Sequence, residues 1–141
     1  MNDPLTVLWS KSPSPKADIV SPQDLRNRVV ATVVFTTNVP TLNKLGAIVV
    51  PAAKIDEAYS LLLKEKVDAV VFNSLSILHY ERHEGAGKVK VVGPLFDIHY
   101  YGFMFPEGSK LREPVNRTLL KLKKNTAYDR IHDKWFGTVG R

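Results

Sequence analysis

The chain contains no cysteine and no long apolar run. Without cysteine, a disulfide framework, a cysteine-ligated zinc ribbon and a cysteine nucleophile are all excluded. No apolar stretch approaches the roughly 18 residues that cross a bilayer. The first residues include Asp3 and Pro4 and lack the basic region that opens a signal peptide. If the parent protein is exported, we therefore expect its targeting or transmembrane segment to lie outside this chain.

The composition is otherwise that of a globular protein, with a basic excess at one end. The hydrophobic fraction is 44% and the charged fraction 24%, which is enough apolar material to form a buried core. The net charge is +6, and residues 107–141 carry nine Lys or Arg against four Asp or Glu. No nucleic-acid-binding motif accompanies this excess. We interpret it as a solvated helix face and expect no nucleic-acid partner.

Three stretches of the chain differ in pattern. Residues 1–24 are rich in proline and serine and are interpreted mainly as a leader or linker, although residues 5–9 are also compatible with a strand. Residues 25–106 are predicted to form an α/β domain. Residues 107–141 contain two amphipathic helical patterns, with apolar stripes that need a partner surface.

Strands and helices alternate within residues 25–106. Ile55 to Glu65 is the clearest helix, because acids occupy its first turn and its apolar residues fall on one stripe. Predicted strands cover 29–34, 47–50, 67–72, 89–92 and 99–105, and predicted helices cover 36–45, 55–65 and 75–84. Pro51 and the pair Gly93-Pro94 are predicted to end strands. This alternation predicts an α/β fold, with a central, mostly parallel sheet flanked by helices.

Candidate catalytic and metal-binding residues are few. His79 and His83 are four residues apart on a predicted helix, but Tyr80 stands where a metalloprotease motif requires glutamate. We interpret the two histidines as a surface pair. An inward position of His79 beside Leu75 and Leu78 is the alternative. The stretch 85–88 (GAGK) joins a helix to a strand, whereas a phosphate loop joins a strand to a helix. We therefore predict no catalytic residue, no metal site and no cofactor, and a protein that is not an enzyme.

The binding candidates are better placed. In open parallel sheets, ligands bind beyond the carboxyl ends of the strands where the strand order switches, and the first and third predicted strands are expected to be neighbours there. Phe35, Thr36 and Thr37 follow the first of them, and Asn73 follows the third. Threonine hydroxyls and backbone N–H groups at a helix start favour an anion. The alternative is that Thr and Asn serve only as helix N-caps.

The order of several segments resembles one protein family. The segments are 30–33 (VATV) before the Thr-Thr helix start, 66–72 (KVDAVVF), 91–96 (VVGPLF), 101–103 (YGF), 108–116 (GSKLREPVN) and 128–137 (YDRIHDKWFG). Together they resemble the second half of family 3 solute-binding proteins, the amino-acid receptors of bacterial ABC importers, over residues 22–137. The same fold forms the ligand-binding domain of ionotropic glutamate receptors. The stretches VVGPLF and YGF are most similar to bacterial glutamate-receptor-like potassium channels.

The resemblance implies a periplasmic-binding-protein type II-like lobe. In that family a small ligand closes between two lobes, and this chain resembles lobe 2 with its C-terminal return segment, so a first lobe is the implied partner. It implies an extracellular or periplasmic sensor for an amino acid or similar small polar solute, in an ion channel or a transport receptor. A membrane channel or permease is then a further expected partner, and a homodimer is possible.

The family's ligand contacts carry over only in part. Its Gly-Ser-Thr helix start corresponds to Phe35, Thr36 and Thr37, so the hydroxyl pair is kept and the glycine is not. Its acidic residue for the ligand amino group corresponds to Asn73, and a neutral hydrogen bond is about half as strong as a charged one. Two alternatives therefore remain open: an interaction module that has lost small-molecule binding, and a dehydratase-like enzyme.

Overall fold

The computed structural model describes the chain at residues 2–10, 19–100 and 102–136. The chain divides into two compact units, one spanning Asn2–His99 and the other beginning at Tyr100. Each unit is described by itself. No helix in these described ranges is long and apolar enough to cross a membrane.

The first unit is built on a five-stranded sheet. Its strands are β1 (Asn2–Ser10), β2 (Val29–Val33), β3 (Ile48–Ala52), β4 (Ala69–Asn73) and β5 (Val89–Tyr100). The strand order is β3-β2-β4-β1-β5. β2 pairs in parallel with both β3 and β4, whereas β1 pairs antiparallel with β4. The predicted α/β fold with a mostly parallel sheet is confirmed.

Helices connect the parallel strands. The first unit contains a short 3₁₀ helix (Pro22–Leu25), α1 (Asn38–Lys44), α2 (Ile55–Leu63) and α3 (Ser74–Arg82). The second contains α4 (Arg112–Lys124) and α5 (Ala127–Phe136). All three helices predicted between residues 36 and 84 are present. Gly46, which follows α1, has a φ of +77°, the left-handed conformation common just after a helix.

The core of the first unit lies on both faces of the sheet. Val30 and Ala31 are adjacent on β2 and both fully buried, but they belong to opposite clusters, because successive strand side chains point to opposite faces. Leu62 of α2 lies in the cluster with Ala31, and Leu42 of α1 lies in the cluster with Val30. Burying each of these leucines stabilises the fold by about 1.5–3 kcal/mol. The continuous apolar runs of the strands follow from this two-sided burial.

Asp68 holds β4 beside β2. Its carboxylate accepts a hydrogen bond from the Val29 amide at 2.9 Å, and its own amide donates to the Val29 carbonyl at 2.7 Å. The pairing that follows brings Val30 opposite Ala69. Asp68, an acid within an apolar run, therefore stabilises the pairing of β4 with β2 at the candidate site.

The segment interpreted mainly as a leader contains a strand instead. β1 covers residues 2–10 and lies between β4 and β5, with Val7 opposite Val71. The apolar run LTVLW at residues 5–9 favours a strand, and this preference prevails over the prolines and serines that follow it. Residues 11–18, which carry most of those prolines and serines, lie outside the described residues.

Residues 19–25 also belong to the core rather than to a linker. Ile19 is 2% exposed, and Pro22 and Leu25 are buried. The Asp24 carboxylate accepts hydrogen bonds from the Ser21 hydroxyl at 2.8 Å, the Ser21 amide at 2.8 Å and the Val20 amide at 3.1 Å. The Ser21 hydroxyl, followed by these amides, lowers the pKa of Asp24. The motif SPQD is thus the capped start of the 3₁₀ helix.

Two strand ends differ from the predicted ones. Pro51 lies within β3, opposite Thr32, rather than ending the strand. β3 is at the edge of the sheet, where a proline costs no inter-strand hydrogen bond on its outer side. Gly93-Pro94 does not end a strand either, since β5 runs on to Tyr100. Consequently the separate strand predicted at residues 99–105 is wrong, and residues 102–106 form no strand or helix.

The second unit contains the two predicted C-terminal helices. Pro114 is the third residue of α4, where its missing N–H is not needed by the helix. None of the residues described in α4 and α5 is buried. Val115, Leu119 and Leu122 of the predicted stripe are half-buried, whereas Ile131 remains 54% exposed and Trp135 49% exposed.

Candidate functional site at the carboxyl edge of the sheet

The polar candidates meet at one edge of the sheet. β2 and β4 are parallel neighbours, so the predicted adjacency of the first and third helix-linked strands is confirmed. The carboxyl ends of parallel neighbours lie at the same edge. Phe35, Thr36 and Thr37 follow β2, and Asn73 is the last residue of β4. We call this group of four residues the carboxyl-edge site.

Thr36 uses its hydroxyl within its own turn. Its Oγ1 donates to the Val33 carbonyl at 2.7 Å, and the side chain is partly buried. The hydroxyl proton is thus committed, although the oxygen keeps a lone pair. The Thr36 hydroxyl proton is therefore not available to an anion at this turn.

Thr37 and Asn73 occupy the N-cap positions of α1 and α3. Within the described chain, neither side chain makes the capping hydrogen bond, although both residues take part in other interactions. Thr37 has a φ of −66° and a ψ of −11°, so its backbone is already helical, whereas a capping residue is normally extended. In this structure, therefore, neither residue caps its helix through its side chain, and Thr37 also departs from the usual backbone conformation of an N-cap.

Asn38 also follows β2 and helps to form the site, although the sequence reasoning gave it no role. It is 2% exposed, and its Nδ2 donates to the Oγ1 of Thr32 at 3.2 Å. Thr32 is fully buried on β2, so the pair fastens the start of α1 to the strand beneath it. The signal in the sequence is a polar residue at each of two positions where the pattern otherwise calls for apolar ones.

A second contact fastens α1 to β5. The Thr41 hydroxyl donates to the carboxylate of Asp97, and it also lies 3.3 Å from the carbonyl of Thr37. Asp97 itself has a φ of +48°, a conformation that aspartate tolerates better than most residues. The turn that carries Thr36 and Thr37 is therefore held from both of its sides.

Phe35 adopts an unusual conformation in this turn. Its φ is +57° and its side chain is fully exposed, at 103% of the reference value. A left-handed backbone is costly for a bulky residue, by about 1–2 kcal/mol. Beside it lies an apolar depression of about 460 Å³. The depression is lined by Val34, Phe35, Thr36, Val39, Val49 and Pro51.

Lys54 adds positive charge at the same edge of the sheet. It is exposed and directly precedes α2, two residues after the end of β3. The nearby acid, Glu57, already accepts a hydrogen bond from the Ala53 amide at 2.8 Å. Three helix starts and one lysine at a common edge favour a ligand with negative charge.

His79 and His83 lie side by side on the surface of α3. The His79 and His83 rings are 4.3 Å apart between centroids, and both side chains are exposed. No group of three or more possible metal ligands occurs in the described ranges. The suggestion that His79 turns inward is wrong, because Ile77 and Leu78 occupy that face of α3. Glu81 instead accepts the Val91 amide at 2.8 Å and ties α3 to β5.

The GAGK stretch is a turn, as its position predicts. The Gly85 amide donates to the Tyr80 carbonyl at 2.8 Å, and the Val89 amide donates to the Gly85 carbonyl at 3.1 Å. A side chain at Gly85 would come within 2.6 Å of Val89 and 2.8 Å of Tyr80. Glycine is therefore required here by packing between α3 and β5 and not by a phosphate.

In comparison with known proteins, the chain is similar to receptors and solute-binding proteins. The chain is similar to the GluR0 ligand-binding core of Nostoc punctiforme solved with L-glutamate, at 38% identity and a TM-score of 0.76 over 96% of this chain. It is similar to an ancestral arginine-binding protein bound to glutamine, at 29% identity and a TM-score of 0.74 over 97% of this chain. It is 32% identical over 73 residues, 52% of this chain, to glutamate receptor 2.9 of Arabidopsis thaliana. No protein-family model matches the chain.

These relatives are longer than the chain. It covers 62% of the Nostoc ligand-binding core, 61% of the ancestral binding protein and 8% of the plant receptor. All three are named as receptors or binding proteins and none as an enzyme. The matches confirm the predicted resemblance of this chain to a lobe of the family 3 solute-binding proteins and ionotropic glutamate receptor ligand-binding domains.

Proposed function

We propose that the chain is a sensor domain that binds an amino acid or a similar small polar solute at the carboxyl-edge site. The observation that carries this proposal is the pairing of β2 with β4, which brings the Thr36-Thr37 turn and Asn73 to one edge of the sheet. Two of the relatives were solved with amino acids, L-glutamate in one and glutamine in the other. Their ligands support the same chemical class here.

Each residue has a defined role in this proposal. The anionic group of the ligand accepts hydrogen bonds from backbone N–H groups at the start of α1 and from the Thr37 hydroxyl. Asn73 donates to or accepts from a second polar group of the ligand. Lys54 raises the local concentration of anions through its charge. The ordered turn, held by Thr32 and Asn38, presents these groups without further rearrangement.

The proposed setting is the periplasmic or extracellular side of a membrane protein. The parent is then a glutamate-receptor-like channel or a transporter's solute receptor, and a first lobe closes over the ligand. Closure would supply the difference in binding energy between open and closed states that drives gating or docking. A channel or permease partner and a homodimer both fit this setting.

The test is ligand binding by variants of Thr37. We expect Thr37→Val to weaken the binding of a responsive amino acid about threefold to thirtyfold, because one hydrogen bond to a charged group is lost. Calorimetry or a thermal-shift titration measures the change. Thr118→Val is the matched control, since Thr118 is an exposed threonine of α4 in the other unit. Equal affinities in the Thr37 variant and the unaltered chain would contradict the proposal.

An interaction module is the second candidate. It is favoured by α4, in which no described residue is buried and Lys121, Lys123 and Lys124 occupy the last turn. A partner held by this helix would bind through exposed charges, and salt screens such contacts. Binding to a partner that weakens steeply with salt, without any response to amino acids, would favour this candidate over the sensor domain.

A further inference from the structure

Phe35 combines two unfavourable features at one residue. Its φ of +57° is a left-handed conformation, and its ring is fully exposed to solvent. The other described non-glycine residues with a positive φ are Asn27, Glu65, Asp97 and Thr126. Of these five residues, only Phe35 is aromatic. Its backbone strain is therefore not offset by packing of the ring, and such uncompensated strain tends to occur at functional sites.

The surroundings of Phe35 indicate what the ring could contact. The apolar depression beside it is lined by four further apolar residues, Val34, Val39, Val49 and Pro51, and by Thr36. Its volume of about 460 Å³ is within the range of small-molecule sites, which are mostly apolar with a few polar groups at one end. Phe35 and Thr36 belong both to this depression and to the polar turn. A ligand can thus place a polar group at the turn and an apolar group in the depression.

We propose that Phe35 is a specificity-determining residue and that the ligand is an amino acid with an apolar side chain. This rests on the proposed function of the carboxyl-edge site. The ligand carboxylate lies at the Thr36-Thr37 turn, and its side chain lies in the depression against the Phe35 ring. The ring is buried only when the ligand is bound. The hydrophobic gain therefore counts toward binding.

Charged side chains are disfavoured by the same geometry. A carboxylate or a guanidinium group placed among Val34, Val39 and Val49 would lose water without gaining a partner. Glutamate and arginine are therefore expected to bind less tightly than leucine or phenylalanine. This expected order of binding affinities is measurable even when every affinity is weak.

The backbone strain gives a readout that needs no ligand. Phe35→Gly removes both the strain and the exposed ring, so its midpoint of thermal unfolding is expected to rise. Phe35→Leu keeps the left-handed backbone with a side chain, and its midpoint is expected to change little. A lower midpoint for Phe35→Gly would overturn the argument, because it would mean that the ring stabilises the free chain.

The decisive experiment is an NMR titration of the full 141-residue chain with leucine, phenylalanine, glutamate and arginine. Amide shifts at Thr36 and Thr37 give dissociation constants in the millimolar range as well as below it. We expect leucine and phenylalanine to bind about tenfold more tightly than glutamate. The ratio should fall toward one in Phe35→Gly and should persist in Phe103→Ala, a control that removes another exposed aromatic ring.

The outcomes separate the two proposals. A preference for leucine that survives in Phe35→Gly overturns the role of Phe35 and leaves the sensor function standing. A preference for glutamate or arginine also overturns the role of Phe35 and leaves the sensor function standing. If none of the four amino acids shifts the Thr36 and Thr37 amides, both the sensor function and the role of Phe35 are overturned.

Discussion

At the scale of single residues, the carboxyl-edge site depends on polar groups that already have partners inside the protein. Thr36 donates to Val33, and Asn38 donates to Thr32. These bonds fix the turn before any ligand arrives. Preorganisation of this kind reduces the entropy cost of binding.

Tyr59 is the clearest residue whose polar group is not used. Its side chain is 5% exposed and stacks on Tyr80 at 3.7 Å between centroids, and its hydroxyl has no hydrogen-bond partner among the described residues. Tyr59→Phe removes a buried polar atom at little cost in packing. We expect the free energy of unfolding to rise by about 1 kcal/mol, measured by urea denaturation. Tyr80→Phe, in the partner of the stack, is the control and should change it less.

The same residue gives a prediction for alkaline pH. Burial raises the pKa of Tyr59 above its ordinary value, so the unfolded chain loses the tyrosine proton first. The stability that depends on the neutral form is present below about pH 10 and falls as the pH rises beyond it. Tyr59→Phe should lose less stability between pH 9 and about 11 than the unaltered chain. Parallel pH profiles for the two proteins would contradict this explanation.

At the scale of elements, Asp24 tests the capped start of the 3₁₀ helix. Hydrogen bonds from Ser21 and Val20 lower its pKa from 3.8, so its stabilising effect is present above that value and is lost as the pH falls through the lower, folded-state pKa. Asp24→Asn should therefore lower the thermal midpoint by a few degrees at pH 7. The difference should shrink as the pH falls below 3.8. Glu107→Gln, at an exposed acid before α4, is the control.

The elements also show how far the sequence predicts the fold. The helices and the strands β2 and β4 follow from local periodicity, which predicts them well. β1 was recognised only as an alternative to a linker, and the full length of β5 was not predicted. Proline, serine and glycine near these strands resemble strand ends, whereas tertiary pairing overrides that local signal. The position of Asn73 beside the Thr36-Thr37 turn could be predicted only by assuming a strand order. Thr32 and Asn38 stand out in the sequence as polar residues in an apolar pattern. Their hydrogen bond to each other could not be predicted, because only the fold shows that both are buried and adjacent.

At the scale of the whole molecule, the first unit depends on β1. It lies between β4 and β5, so a break in β1 separates β5 from the rest of the sheet. Val7→Pro removes a backbone N–H within this central strand and should cost about 3 kcal/mol or more, a large part of the stability of an ordinary domain. Val7→Thr keeps the N–H and a β-branched side chain. Circular dichroism and thermal melting compare the two, and a proline variant that melts like the threonine variant would show that β1 contributes little.

We propose that an amino-acid-like ligand binds at the edge of the sheet where β2 and β4 end. An NMR titration that maps every shifted amide tests this most directly, using the unaltered chain and a panel of amino acids and small dicarboxylates. We expect saturable shifts concentrated at residues 35–39 and 73–75, with little change at the Tyr59–Tyr80 stack or in α4. Saturable shifts concentrated in α4 and α5, or no saturable shift with any compound of the panel, would contradict it.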